Sequence, residues 1–303
     1  MNKLRSGMPV EIADRIKKLG KQFSPELIRE TMAMYKGIRR SYDADDIDVV
    51  RDIAYGSDER HRLDIHVPKQ GRAEKKAGVI MFVHGGGFIR GDRSSRRHIP
   101  DFFVANGYVG VNLTHRLAPE HKWPSGGMDM GAAVAWEHAN IAGYGGDPRR
   151  IFLMGESAGA FHVATYVFRP DLLPPATPGV AGAIMASGPF LVDAGKYAEG
   201  EAAYFGDDKT RWGEVAFPGN ITRIDIPVLF TLTEYDPPHI DEGFAIMLYE
   251  LMVKHHATPR FRLLTGHNHI SGFMSIGTSD TMLSDEILDF ISASAQSTQD
   301  VAG

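Results

Sequence analysis

A serine flanked by small residues is the first feature of the chain that could support catalysis. Ser157 lies in the pentapeptide Gly-Glu-Ser-Ala-Gly, after the apolar run Arg150–Met154 and before the helical stretch Ala158–Phe168. A serine on a sharp strand-to-helix turn is exposed where a substrate can reach it. The pentapeptide alone is a weak signal, because small residues are common in such turns. Its interpretation as a nucleophile therefore depends on other residues.

A glycine-rich segment earlier in the chain could stabilise the negative charge that the attack of a serine creates. The segment His84–Phe88, H-G-G-G-F, follows directly on the apolar run Gly78–Val83. Consecutive glycines allow backbone N–H groups to face a developing oxyanion without side chains in the way. A phosphate-binding loop is the alternative, but the segment contains neither G-x-G-x-x-G nor a following Lys-Ser/Thr pair.

A nucleophilic serine also needs an imidazole and a carboxylate, because the pKa of its own hydroxyl lies far above neutrality. Asp236 follows the apolar run Pro227–Leu232, and Pro237 prevents that strand from continuing. Glu234 competes with Asp236, since residues two apart in an extended chain point to the same side. Both carboxylates are therefore candidates for the orienting acid.

Two histidines follow the strand-like run Arg260–Leu264, and either could be the general base. His267 and His269 lie in the segment T-G-H-N-H-I-S. The pair H-x-H also fits a metal site, but no cluster of acidic residues or histidines lies near it in the sequence. We therefore predict a base, with no metal and no cofactor, and keep both histidines as candidates.

The elements that must position these residues alternate along the chain. Continuous apolar runs are typical of strands that are covered on both faces, as in parallel sheets. The predicted strands are 61–67, 78–83, 108–113, 150–154, 180–186, 227–232 and 260–264, and the predicted helices are 128–142, 158–168, 240–256 and 280–292. This alternation predicts an α/β fold with a mostly parallel central sheet and helices on both faces.

Two segments outside the alternation are predicted to form a helical lid. Residues 1–45 carry apolar residues at helical spacing after the capping pair Ser24 and Pro25. Residues 191–225 form a long, aromatic-rich insertion between two strands. The aromatic residues of the insertion fit substrate contact or ordinary core packing. All 303 residues are predicted to form a single domain.

Composition and charge exclude several kinds of partner and site. The formal net charge is −5 and the pI is near 6.2, opposite to the excess expected of a protein that binds nucleic acid or an anionic membrane. The chain contains no cysteine, which excludes disulfides, thiolate metal sites and a cysteine nucleophile. No signal-like or membrane-spanning apolar run is present in the sequence. We expect a cytoplasmic protein.

These motifs together resemble the α/β-hydrolase superfamily, and within it the hormone-sensitive-lipase-like carboxylesterases. The order Ser157, Asp236, His269 is the Ser…Asp…His order of that superfamily. The resemblance covers about residues 60–292 and includes H-R-L-A-P-E-H-K-W-P at 115–124, Y-G-G-D-P-R-R-I at 144–151 and E-Y-D-P-P-H-I-D-E at 234–242. His115 stands where that branch usually has a tyrosine.

The resemblance implies a role for each site residue. Ser157 would be the nucleophile, Asp236 rather than Glu234 the orienting acid, and His269 the base. The base of that branch is usually followed by Gly-Phe, whereas Ile270 and Ser271 follow His269 here. His267 therefore stays the alternative base. The implied donors of the oxyanion hole are the backbone N–H groups of Gly86, Gly87 and Ala158, with His84 holding their loop.

The resemblance implies an α/β-hydrolase fold and a serine hydrolase of small acyl or aryl carboxylic esters. Glu156 and the H-N-H-x-S segment are also similar to kynurenine formamidases and feruloyl-esterase-like proteins, so an arylformamidase or amidase with the same triad is the alternative. A catalytically silent receptor on the same fold is a third interpretation, but such proteins typically lack a triad residue. Since relatives often form dimers, a homodimer is also expected.

A basic loop follows the glycine-rich segment and bears on the charge of the substrate. It contains Arg90, Arg93, Arg96 and Arg97. These arginines could steer an acidic substrate, or they could form an ordinary solvated surface.

Overall fold

The computed structural model describes residues 3–4, 6–40, 46–69 and 76–300, and these residues form an eight-stranded sheet. The strands are β1 (Ile47–Ala54), β2 (Arg62–Pro68), β3 (Ala77–Val83), β4 (Val109–Thr114), β5 (Gly146–Glu156), β6 (Gly182–Ala186), β7 (Val228–Tyr235) and β8 (Arg260–Asn268). Their spatial order is β1-β2-β4-β3-β5-β6-β7-β8. Strand β2 is antiparallel to both of its neighbours, and all other pairs are parallel. The prediction of a mostly parallel sheet is confirmed.

Helices cover both faces of this sheet. They are α1 (Val10–Leu19), α2 (Pro25–Lys36), α3 (His98–Ala105), α4 (Ser125–Asn140), α5 (Ala158–Phe168), α6 (Glu199–Phe205), α7 (Trp212–Val215), α8 (Pro238–Tyr249), α9 (Ser271–Met274) and α10 (Met282–Asp300). Side chains of β3 alternate between two hydrophobic cores: Met81 packs with α4 and α5, whereas Phe82 packs with α3 and α10. This alternation explains why the central strands are apolar throughout.

Several elements differ from the sequence-based expectation. Strand β1 was not predicted, because it lies at an edge of the sheet and none of its residues is fully buried. Helix α3 was also missed. Strand β8 continues to Asn268, so that His267 lies within the strand and only His269 follows it.

The two predicted lid segments contain helices. In the first, α1 and α2 are present, and the Oγ of Ser24 accepts a hydrogen bond from the N–H of Leu27 at 3.1 Å. Residues 1, 2, 5 and 41–45 of that segment lie outside the described residues. In the second, α6 and α7 are anchored by the buried side chains of Tyr204 and Trp212. Among the helices described, none is both long and apolar enough to cross a lipid bilayer.

Candidate active site

Ser157 lies on a strained turn between β5 and α5. Its φ of 53° and ψ of −122° are a conformation that costs a non-glycine residue on the order of 1–3 kcal/mol. The last residue of β5, Glu156, pairs with Ala186 of β6, and the N–H of Ser157 donates to the carbonyl of Ala186 at 2.9 Å. The sheet therefore holds the strained residue in place and presents its side chain at the carboxyl edge of the strands.

Asp236 and His269 are brought together by the register of β7 and β8. Tyr235 pairs with Asn268, so the next residue of each strand lies at the same sheet edge. His269 Nδ1 lies 2.6 Å from Asp236 Oδ1, and the aspartate is fully buried while the histidine side chain is 8% exposed. The sequence-based candidates thus form a buried carboxylate–imidazole pair.

Asp236 is held in its ionised form by further donors. Burial acts to raise the pKa of Asp236, but the contact with His269 and hydrogen bonds to Oδ2 outweigh it and lower the pKa below its ordinary value. The donors to Oδ2 are the Ser187 hydroxyl at 2.6 Å and the N–H of Thr233 at 2.7 Å. Ser187 was missed in the sequence, although it is a polar residue directly after β6, as Ser157 is directly after β5.

The two competing candidates have other partners. Glu234 Oε2 accepts a hydrogen bond from the N–H of Gly266 at 2.7 Å, and so supports the chain within β8. His267 is fully buried, with Nδ1 3.0 Å from Ser271 Oγ and Nε2 3.5 Å from Asp280 Oδ2. Since neither contacts the other site residues, the geometry favours Asp236 and His269 over them.

The glycine-rich loop lies directly against the serine. A Cβ atom on Gly85 would lie 3.1 Å from the Cβ of Ser157 and 3.0 Å from the carbonyl oxygen of Glu156. Within the described part of the chain, the N–H groups of Gly86 and Gly87 have no hydrogen-bond acceptor. Helix α5 begins at Ala158, directly after the serine. Backbone N–H groups that are free to donate beside a serine can bind an oxyanion.

His84, which begins this loop, is a packed residue. Its ring stacks on that of His115 with centroids 4.2 Å apart, and its Nδ1 lies 2.7 Å from the carbonyl oxygen of Gly85. Burial, followed by the neighbouring His115, lowers the pKa of His84 well below its ordinary value. A neutral, buried ring suits the loop-holding role that the resemblance to hormone-sensitive-lipase-like carboxylesterases implies for His84.

A cavity of about 500 Å³ joins these groups. Ser157, His269 and the glycine-rich loop line it, together with residues of the two helical segments. Phe23, just before α2, contacts the His269 ring edge-on with centroids 5.1 Å apart. On the other side, a Cβ on Gly200 would lie 1.8 Å from the carbonyl oxygen of Gly87, so α6 packs tightly on the loop.

Ser157 and His269 share this cavity, but in this structure the hydroxyl makes no hydrogen bond to the imidazole. Such contacts are often long without substrate and tighten in the Michaelis complex. A serine, an imidazole held by an ionised carboxylate and free N–H donors around one cavity can perform acyl transfer. Residues 3–4, 6–40, 46–69 and 76–300 contain no group of three or more His, Cys, Asp or Glu arranged to hold a metal ion.

The four arginines after the loop differ in their partners. Arg93 pairs with Asp52 and Asp64, Arg96 with Glu156, and Arg97 with Asp101. Arg90 lines the cavity and forms no ion pair or hydrogen bond with any residue that the structure describes. The hypothesis of a steering arginine therefore reduces to Arg90.

Curated proteins similar to this chain include several esterases. The chain is 36% identical to esterase LipC of Mycobacterium tuberculosis over 110 residues, which are 36% of this chain and 27% of that protein. It is 38% identical to the chlorogenic acid esterase of Aspergillus niger over 131 residues, 40% of this chain and 25% of that protein. The chain thus spans about a quarter of the length of these relatives.

Solved structures match along almost the whole chain. Esterase B from Lactobacillus Rhamnosis has a TM-score of 0.76 at 16% identity, covering 97% of this chain and 98% of that one. A bacterial heroin esterase has a TM-score of 0.69 at 20% identity, covering 94% and 97%. The BD-FAE family model matches residues 63–167, which run from β2 through the serine turn to α5. The chain therefore has the α/β-hydrolase fold that these solved structures share.

Proposed function

We propose that the protein is a carboxylesterase that hydrolyses small acyl or aryl esters. The observation that carries this proposal is the buried Asp236–His269 pair in the same cavity as Ser157 and the free N–H groups of Gly86 and Gly87. The esterase names of the similar proteins support it.

The proposed reaction proceeds in two acyl-transfer steps. Ser157 Oγ attacks the ester carbonyl while His269 Nε2 takes the hydroxyl proton, and Asp236 stabilises the imidazolium. The tetrahedral oxyanion accepts hydrogen bonds from the N–H groups of Gly86, Gly87 and Ala158. His269 then gives its proton to the leaving alcohol. A water molecule, activated by the same imidazole, releases the carboxylic acid and restores the serine.

The cavity supports the proposed substrate class. Its volume of about 500 Å³ suits a small substrate, and apolar side chains of Phe23, Ile28 and Met32 form one wall. Arg90, which has no ion-pair partner among the residues that the structure describes, also lines this cavity. We propose that the two helical segments, 1–45 and 191–225, form its cover. The homodimer and the cytoplasmic location remain predictions.

A substrate panel tests this proposal. We expect p-nitrophenyl esters of short acyl chains to be hydrolysed with higher kcat/KM than those of long chains. An anionic ester matched in size to a neutral one measures the effect of Arg90, with Arg90→Ala as the paired variant. An N-formylanilide measures the arylformamidase alternative. Faster turnover of the anilide than of the matched aryl ester would reject the esterase assignment in favour of that alternative.

A further inference from the structure

The turn that carries His269 is closed by the side chain of the preceding residue. Asn268 is fully buried, and its Oδ1 accepts hydrogen bonds from the N–H groups of Ile270 at 3.1 Å and Ser271 at 3.0 Å. The backbone N–H of Asn268 donates to Ser271 Oγ at 2.9 Å. One amide oxygen therefore spans His269 and fixes the backbone on both sides of it.

The orientation of this amide depends on helix α2. Asn268 Nδ2 donates to Thr31 Oγ1 at 2.9 Å, and Thr31 is also fully buried. Without that acceptor, the amide nitrogen would be left buried and unpaired, which is strongly unfavourable. The amide would then have to rotate or shift, and the turn around His269 would move with it.

A second buried connection reaches the same turn from the same helix. Tyr35 lies one helical turn after Thr31, so both side chains project from one face of α2. The Tyr35 hydroxyl donates to Asp280 Oδ2 at 2.9 Å, and that oxygen lies 3.5 Å from His267 Nε2. His267 Nδ1 in turn lies 3.0 Å from Ser271 Oγ. Every member of this chain of contacts is fully buried.

We propose that Thr31 and Tyr35 are positioning residues for the base His269, acting through Asn268 and through the Asp280–His267–Ser271 contacts. Helix α2 would thus take part in catalysis by holding the imidazole against Asp236, besides forming a wall of the cavity. The inference rests on the proposed ester hydrolysis. It connects helix α2 to Asn268, the residue before the base, across 237 residues of sequence.

Thr31→Val tests this inference, because valine keeps the shape of threonine and removes the acceptor. We expect kcat to fall by about 10- to 100-fold, the size of effect that a displaced catalytic group produces. KM should change by less than about threefold, since no group that lines the cavity is altered. Thr31→Ser retains Oγ and should restore most of kcat. Arg29→Ala, at an exposed position of the same helix, is the matched control and should equal the wild type.

The outcomes separate this inference from the proposed function. Equal kcat in folded Thr31→Val and wild type would overturn the positioning role, as would equal losses in Thr31→Val and Thr31→Ser. If Thr31→Val does not fold, Tyr35→Phe takes its place: a lower kcat with unchanged KM supports the role, and an unchanged kcat rejects it. Failure of the wild type itself to hydrolyse any ester would instead reject the proposed function.

Discussion

Two carboxylates near the end of β7, only two residues apart, have different surroundings. Asp236 contacts His269 and receives two further hydrogen bonds, whereas Glu234 accepts one from the backbone of β8. The donors around Asp236 lower its pKa although the group is buried, so it remains a carboxylate at neutral pH. A permanently ionised acid can hold the tautomer of His269 that leaves Nε2 free to accept a proton.

Asp236→Asn and Glu234→Gln form a matched pair that tests this assignment. We expect Asp236→Asn to lower kcat by about 10³- to 10⁴-fold, because an amide no longer stabilises the imidazolium or its tautomer. Glu234→Gln keeps an oxygen that can accept from Gly266, so its kcat should stay near the wild-type value. Steady-state kinetics on one short-chain ester gives both values. A large loss in Glu234→Gln with little loss in Asp236→Asn would assign the acid to Glu234.

Helix α4 contains a buried glutamate, Glu137, that no described residue stabilises by a hydrogen bond. Glu137 is fully buried, and neither of its carboxyl oxygens has a hydrogen-bond partner among the described residues. This desolvation raises the pKa of Glu137 to about 8. The carboxyl group of Glu137 therefore stays protonated in the folded protein at neutral pH. At any pH where the same group is ionised in the unfolded chain, this difference lowers the stability of the folded protein.

The contribution of Glu137 to the free energy of unfolding should fall as the pH rises from 4.5 to about 8. Below the ordinary pKa of 4.5 the group is protonated in both the folded and the unfolded state, so its ionisation does not contribute to the stability. Between that value and about 8, its contribution lowers the free energy of unfolding by about 1.4 kcal/mol per pH unit. Glu137→Gln removes this dependence, and urea unfolding at pH 5 and pH 7.5 should show its advantage over wild type growing with pH.

An exposed glutamate provides the control for this measurement. Glu120→Gln should follow the wild-type dependence on pH, because Glu120 is solvated in the folded protein. If the difference in unfolding free energy between Glu137→Gln and wild type were the same at both pH values, Glu137 would be ionised in the folded state.

The central strands of the sheet were the most predictable part of the fold. Their continuous apolar runs reflect burial on both faces, and the residues that follow them meet at one sheet edge. Strand β1 escaped prediction because an edge strand with exposed charges lacks that signal. The site was predictable where a local motif marks it, as at Ser157 and at the glycine-rich loop.

Other parts of the site depend on contacts that no local pattern encodes. The geometry that favours His269 over His267 depends on the end of β8 at Asn268, which no residue type in T-G-H-N-H-I-S indicates. Ser187 contributes because β6 and β7 are neighbours in the sheet, a relation set by the topology. The contact between Asn268 and Thr31 joins residues 237 positions apart.

A fluorophosphonate probe, which labels activated serines, tests directly whether the folded molecule makes Ser157 nucleophilic, when the labelled peptide is identified by mass spectrometry. We expect one adduct per chain, on Ser157, in the folded wild-type protein. Labelling should be lost in Ser157→Ala and on unfolding in denaturant, because isolated serine hydroxyls are weak nucleophiles. If folded protein remained unlabelled, or were labelled at another serine, Ser157 would not be the nucleophile.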